Sequence, residues 1–150
     1  MAEPRAKARR PQVDDPAKER EAWVRFVEEL VEEIKGWVQP EWSTRVVEKD
    51  MRDSVLGRYR LPSLLMQREI ARVLPEPITR FAPGVDGVVD LYLMPAFDDI
   101  ATIYRTAGEW RVNYAYRGGR AVFGIKGAES RPLTGENFLR VLDSIAANAP

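Results

Sequence analysis

The residues best suited to chemistry in this chain are aspartates. Asp86, Asp90, Asp98 and Asp99 flank one apolar run and the connection after it, a spacing that would let strand ends gather carboxylates around Mg²⁺ or Ca²⁺. Asp98 and Asp99 fall in an expected loop, where functional groups collect. Asp86-Gly87 and Asp98-Asp99 are equally ordinary turn residues. A carboxylate/metal-dependent hydrolase is one candidate on these grounds. A nuclease-like site would want acid-x-Lys on the next strand. Glu109-Trp110-Arg111 supplies arginine instead, which does not give up its proton as a base. Gly119 and Gly124 have the glycine spacing of a phosphate loop, but Ile125-Lys126 stands where Lys-Ser/Thr is needed.

A second chemistry is electrostatic. Arg58, Arg60, Arg105, Arg111 and Arg117 interleave with Tyr59, Tyr104, Tyr114 and Tyr116. Placed on one sheet face, they would make a basic surface with stacking platforms, as single-stranded nucleic acid requires. Arg5, Lys7, Arg9 and Arg10 against Glu3 give the first dozen residues a net charge of +3 and a further phosphate-binding segment. The competing arrangement has the aromatics in the core and the arginines paired with Glu48, Asp50 and Glu69 across strands. A third pattern is acidic: Glu28, Glu29, Glu32 and Glu33 recur one helical turn apart, where a basic protein partner would be received.

Composition narrows these options. The 150-residue chain contains no cysteine and no histidine, which excludes disulfide scaffolds, thiolate nucleophiles, Cys/His zinc sites and Ser-His-Asp triads. Lysine plus arginine (23) balances aspartate plus glutamate (23), so no global field selects a partner and any electrostatic function is local. With 45% apolar and 31% charged residues, the composition is that of a globular chain. No apolar run approaches the roughly 18 residues of a membrane span. No apolar core follows the basic N-terminus as in a secretory signal, so a cytoplasmic location is expected.

These residues must be positioned by a small set of elements. Asp14-Asp15-Pro16 is a helix start, and Trp23, Phe26, Val27, Leu30, Val31, Ile34 and Val38 then recur at three and four, limited by Gly36 and Pro40. Strands are expected at 43–54 and at 58–61, the latter stopping at Pro62. Residues 63–74 favour a helix bracketed by Pro62 and Pro75, although the same stretch can be written as an alternating strand. Val88 to Leu93 is dense enough to be buried on both faces. Ile100–Tyr104 and Trp110–Tyr116 flank a Gly-containing hairpin loop, Ala121–Ile125 suits an edge strand, and a last helix begins at Thr134 with Phe138, Val141, Leu142 and Ile145 inward.

The expected architecture is α+β, with a long N-terminal helix and a C-terminal helix packed on an antiparallel β-meander. Residues 1–13 form a disordered basic tail and 14–150 a single domain. The function expected first is a non-enzymatic adaptor, inhibitor or accessory subunit that binds another protein through Glu28, Glu29, Glu32 and Glu33 and needs no cofactor. Nucleic-acid binding through the arginines and hydrolysis at the aspartates are the alternatives.

Overall fold

A computed structural model describes residues 13–96, 98–114 and 129–149. Helix α1 (Pro16–Val38) starts where aspartate and proline place it: the Asp15 side chain accepts a hydrogen bond from the Lys18 N–H at 3.2 Å, and Pro16 occupies the first turn, where an N–H has no partner to lose. Its stripe of Trp23, Val27, Leu30, Val31, Ile34 and Val38 is buried, while Phe26 lies at the margin of that stripe, half-buried. Seven strands follow in sequence order: β1 (Ser43–Asp53), β2 (Gly57–Arg68), β3 (Ala71–Thr79), β4 (Val88–Met94), β5 (Asp98–Thr106), β6 (Glu109–Tyr114) and β7 (Glu129–Pro132). Each pairs antiparallel with its neighbour, so the sheet is a plain meander. Helix α2 (Gly135–Ala146), capped by the Thr134 hydroxyl accepting from Asn137 N–H, completes the α+β fold.

The two helices share one core with the sheet. Phe138, Val141, Leu142 and Ile145 of α2 join the α1 stripe and the alternate residues Val73, Val89, Leu91, Leu93, Ile103, Val112 and Tyr114 of the strands. At Gly87 the backbone approaches α1 so closely that an added Cβ would sit 2.5 Å from Cζ3 of buried Trp23. In β4 the expectation of burial on both faces gives way to alternation. Val89, Leu91 and Leu93 are buried, whereas Val88, Asp90, Tyr92 and Met94 are half-exposed on the face away from the core.

Residues 63–74 are not a helix. They form the end of β2, a tight turn in which Glu69 takes φ 54°, and the start of β3. A helical stripe of Met66, Ile70, Val73 and Leu74 would bury Ile70, yet Ile70 is 66% exposed at the turn. Period-two burial wins because Met66 and Val73 stand opposite each other in register and both reach the core.

The prolines expected to bracket a helix lie inside strands. Pro62 lies within β2 and Pro75 and Pro77 within β3, and β2–β3 pairing stops at Met66/Val73 while β3–β4 pairing runs through Pro77 and, past an irregularity, to Thr79. A proline offers no N–H to a neighbouring strand, so β2 separates from β3 along this seam. Side chains take over from the missing ladder: Ser63 Oγ donates to the Pro75 carbonyl, and Lys49 Nζ donates to the Pro77 carbonyl at 2.7 Å. The β1–β2 ribbon is thereby free to follow α1, and Arg20 Nη1 of α1 donates to the Leu56 carbonyl between β1 and β2 at 2.7 Å. The expected tail, Tyr116, Arg117, the Gly119–Gly124 loop and the 121–125 strand lie outside the described residues.

Candidate functional site

The outer side of α1 carries Glu28, Glu29, Glu32 and Glu33, all exposed. They border a groove of about 600 Å³ whose far wall is the β5–β6 hairpin, represented by Arg105, Gly108 and Trp110, with Phe26 in between. Arg105 and Trp110 are opposite each other in register, and the Arg105 guanidinium lies 3.8 Å over the Phe26 ring. The hairpin turns through Ala107 (φ 51°) and Gly108 (φ 79°), which fixes where Trp110 emerges. None of the four glutamates has a hydrogen-bond or ion-pair partner among the described residues. Arg25, one helical turn before Glu29, forms no ion pair with it, and the 28/32 and 29/33 repulsions stand uncompensated at about 0.2–0.5 kcal/mol each. The sequence singled out the acids but not their aromatic neighbours. Trp110, two residues beyond a turn glycine, was the available signal for a side chain held at a hairpin mouth.

The aspartates are distributed along β4. Asp86 precedes the strand, its backbone N–H donating to the Arg105 carbonyl at 2.7 Å, whereas Asp98 pairs with Leu93 near the opposite end. A seven-residue strand spans about 20–24 Å, too far for one cation to bridge. The side chains of Asp98 and Asp99 lie outside the described set, and among the described residues no group of three or more acidic side chains is arranged to hold a metal.

Asp90 belongs to a different cluster, on the sheet face away from the helices. It stands opposite Glu76 in register and accepts hydrogen bonds from Tyr92 OH and Thr102 Oγ1, both at 3.3 Å. Glu76 pairs with Lys49 at 2.8 Å. Burial raises the Asp90 pKa above the usual aspartate range and Glu76 adds to the effect, while Thr102, Tyr92 and Lys49 oppose it. Tyr92 is likewise raised, by burial and by the Asp90 and Glu76 charges. With Lys49 reaching the Pro77 carbonyl, this cluster lies across the β2–β3 seam.

The arginines do not share one face. Arg105 lies on the helix side, whereas Arg111 donates to Ser130 Oγ (3.1 Å) and the Ser130 carbonyl (3.2 Å) on the opposite face, beside Tyr104. Arg58 and Arg60 are on the β1–β2 ribbon, Arg60 pairing with Asp50 at 3.0 Å. Tyr114 is in the core with its hydroxyl on Ser144 Oγ at 3.1 Å. Adjacent residues of a strand point to opposite faces, so interleaved arginine and tyrosine are separated by the pleat. No protein-family model, no curated protein and no solved structure matches this chain. No helix among the described residues is long and apolar enough to cross a membrane.

Proposed function

We propose that the protein is a binding module, an adaptor, inhibitor or accessory subunit, that receives a basic segment of a protein partner in the groove between α1 and the β5–β6 hairpin. The observation that carries this reading is the juxtaposition of four unpaired glutamates with half-buried Phe26 and Trp110 along one groove. Carboxylates at the rim select lysine and arginine and steer encounter. Aromatic walls supply apolar area that is already ordered before binding, which is where interface energy concentrates. Arg105, stacked on Phe26, supplies one cation within the groove and so discriminates against a partner that is basic at every position.

The test is a comparative pull-down from the native host with wild type, the Glu28/Glu29/Glu32/Glu33→Gln variant and Trp110→Ala. The expected result is a stoichiometric protein partner retained by wild type and lost, together, by both variants. Identical partners from all three would overturn the assignment of the groove.

A further inference from the structure

Strand β1 ends the sheet. It pairs with β2 in unbroken register from Ser43 to Asp53, and among the described residues no strand pairs with its other side. Alternate residues of an edge strand turn their N–H and C=O groups outward, a row of donors and acceptors that another extended chain can meet.

The side chains beside that row are ordered by charge. From Val46 onward the even-numbered residues of β1 are exposed and the odd-numbered ones half-buried, so Val46, Glu48, Asp50 and Arg52 lie on the open face. Val46, Glu48, Arg60 and Pro62 share a groove of about 310 Å³ with Glu28, Val31 and Glu32 of α1. Asp50 and Arg60 neutralise each other at 3.0 Å, whereas Glu28, Glu32 and Glu48 have no hydrogen-bond or ion-pair partner among the described residues. This end is apolar and acidic. At the other end Arg52 and Arg58 stand directly opposite each other, repel, and likewise have no partner among the described residues. Along the strand, the open face therefore reads apolar, acid, neutral, base.

We propose that the β1 edge takes up an extended segment of a partner protein as an added antiparallel strand. The segment carries an acid opposite Arg52, a base opposite Glu48 and an apolar side chain opposite Val46, which are its first, fifth and seventh positions. Main-chain hydrogen bonds supply affinity in such strand addition, and side chains at alternate positions supply specificity. Charges that discourage a random strand thus state which strand is accepted, since opposite charges across a pair stabilise it and like charges destabilise it. The antiparallel sense follows that of every pair in the sheet. A second copy of β1 fits less well. It offers Glu48 and Arg52 in the right order, but sets Asp50 against Asp50 and brings Ser54 opposite Val46. The edge shares only Glu28 and Glu32 with the groove between α1 and the β5–β6 hairpin.

The experiment is fluorescence anisotropy of two labelled, end-capped peptides of identical composition with the full chain: Glu-Thr-Thr-Thr-Lys-Thr-Val and Lys-Thr-Thr-Thr-Glu-Thr-Val. The first is expected to bind about tenfold more tightly than the second. Glu48→Lys combined with Arg52→Glu should reverse that preference. The exchange relieves both like-charge groups, so its Tm should equal or exceed that of wild type, which separates altered binding from lost folding. Trp110→Ala should bind the first peptide as wild type does, so the edge and the hairpin groove fail independently. N-methylation of the first peptide at positions two and four, or at three and five, should abolish binding in one case and spare it in the other, because alternate N–H groups face β1. The proposal is overturned by no binding at protein concentrations up to about 1 mM, by equal affinity for the two peptides, by an unreversed preference in the charge-exchanged variant, or by binding that survives both methylations. A wild type that elutes as a dimer and binds neither peptide would overturn it in favour of a second copy.

Discussion

Asp90 is a carboxylate placed where its charge is disfavoured, and that has a pH signature. Its pKa is raised in the folded protein, chiefly by burial, so folding favours the protonated form. The resulting stability is full below the unfolded value of about 3.9 and is lost as pH rises through the folded value. Asp90→Asn keeps an acceptor for Tyr92 and Thr102 without the charge. Its Tm should exceed that of wild type at pH 7.5 and converge with it towards pH 4; a variant less stable at pH 7.5 would show that the charge is needed there. Lys49→Met should act in the opposite sense. It leaves the Pro77 carbonyl without its donor and Glu76 beside Asp90 without a cation, at a cost of about 1–3 kcal/mol near neutral pH by denaturant titration. That cost should shrink in acid as Asp90, whose pKa is raised, takes up a proton. Gly87→Ala drives a Cβ into the buried Trp23 ring and should cost about 1–3 kcal/mol, read as a lower denaturation midpoint with unchanged slope.

At the scale of elements, the two faces of α1 differ in character. The inward stripe anchors the core, and the outward glutamates repel one another without any ion pair to offset it. Replacing all four with Gln removes two like-charge pairs and should leave Tm unchanged or raise stability by up to about 1 kcal/mol. A loss of partner binding in that variant would then report the surface and not the fold. The β1 strand shows the same division. It is an eleven-residue edge strand, a ready template for pairing, and it carries Arg45, Glu48, Asp50 and Arg52 as exposed charges around exposed Val46. Charges on an edge strand discourage intermolecular pairing. Glu48→Val combined with Asp50→Val is expected to self-associate, seen as earlier elution and scattering; a variant that stays at the wild-type size would show that the edge is protected in another way.

Over the whole molecule the formal charge is zero, but it is not evenly spread. Acid gathers on the outer side of α1 facing the β5–β6 hairpin, and uncompensated arginine sits at the β1–β2 tip, where α1 begins. A balanced total therefore conceals two local fields of opposite sign, each able to act within a Debye length of about 8–10 Å.

The sequence by itself determined what local rules control. Asp15-Pro16 and Thr134 start the two helices, three-and-four spacing selects Trp23 to Val38 and Phe138 to Ile145 for the core, and Ala107-Gly108 turns a hairpin. The absence of cysteine and histidine removes whole chemistries without reference to shape. Tertiary structure decided the rest, because those outcomes depend on which residues meet. Residues 63–74 have an apolar pattern that fits either period, and only the pairing of Met66 with Val73 against the core selects strand. Pro62, Pro75 and Pro77 look like terminators in one dimension. In the sheet they are strand residues that part β2 from β3, since a missing N–H matters only on the side where a neighbour would receive it. Asp90 meets Glu76 and Lys49, and Trp110 meets Phe26 along one groove, through pairing and packing that no local spacing encodes, whereas the Arg105–Trp110 and Arg52–Arg58 registers follow from their hairpin turns. The chemistry of each residue was legible from its type; its partners were set by long-range strand pairing, which the hydrophobic core imposes on the chain as a whole.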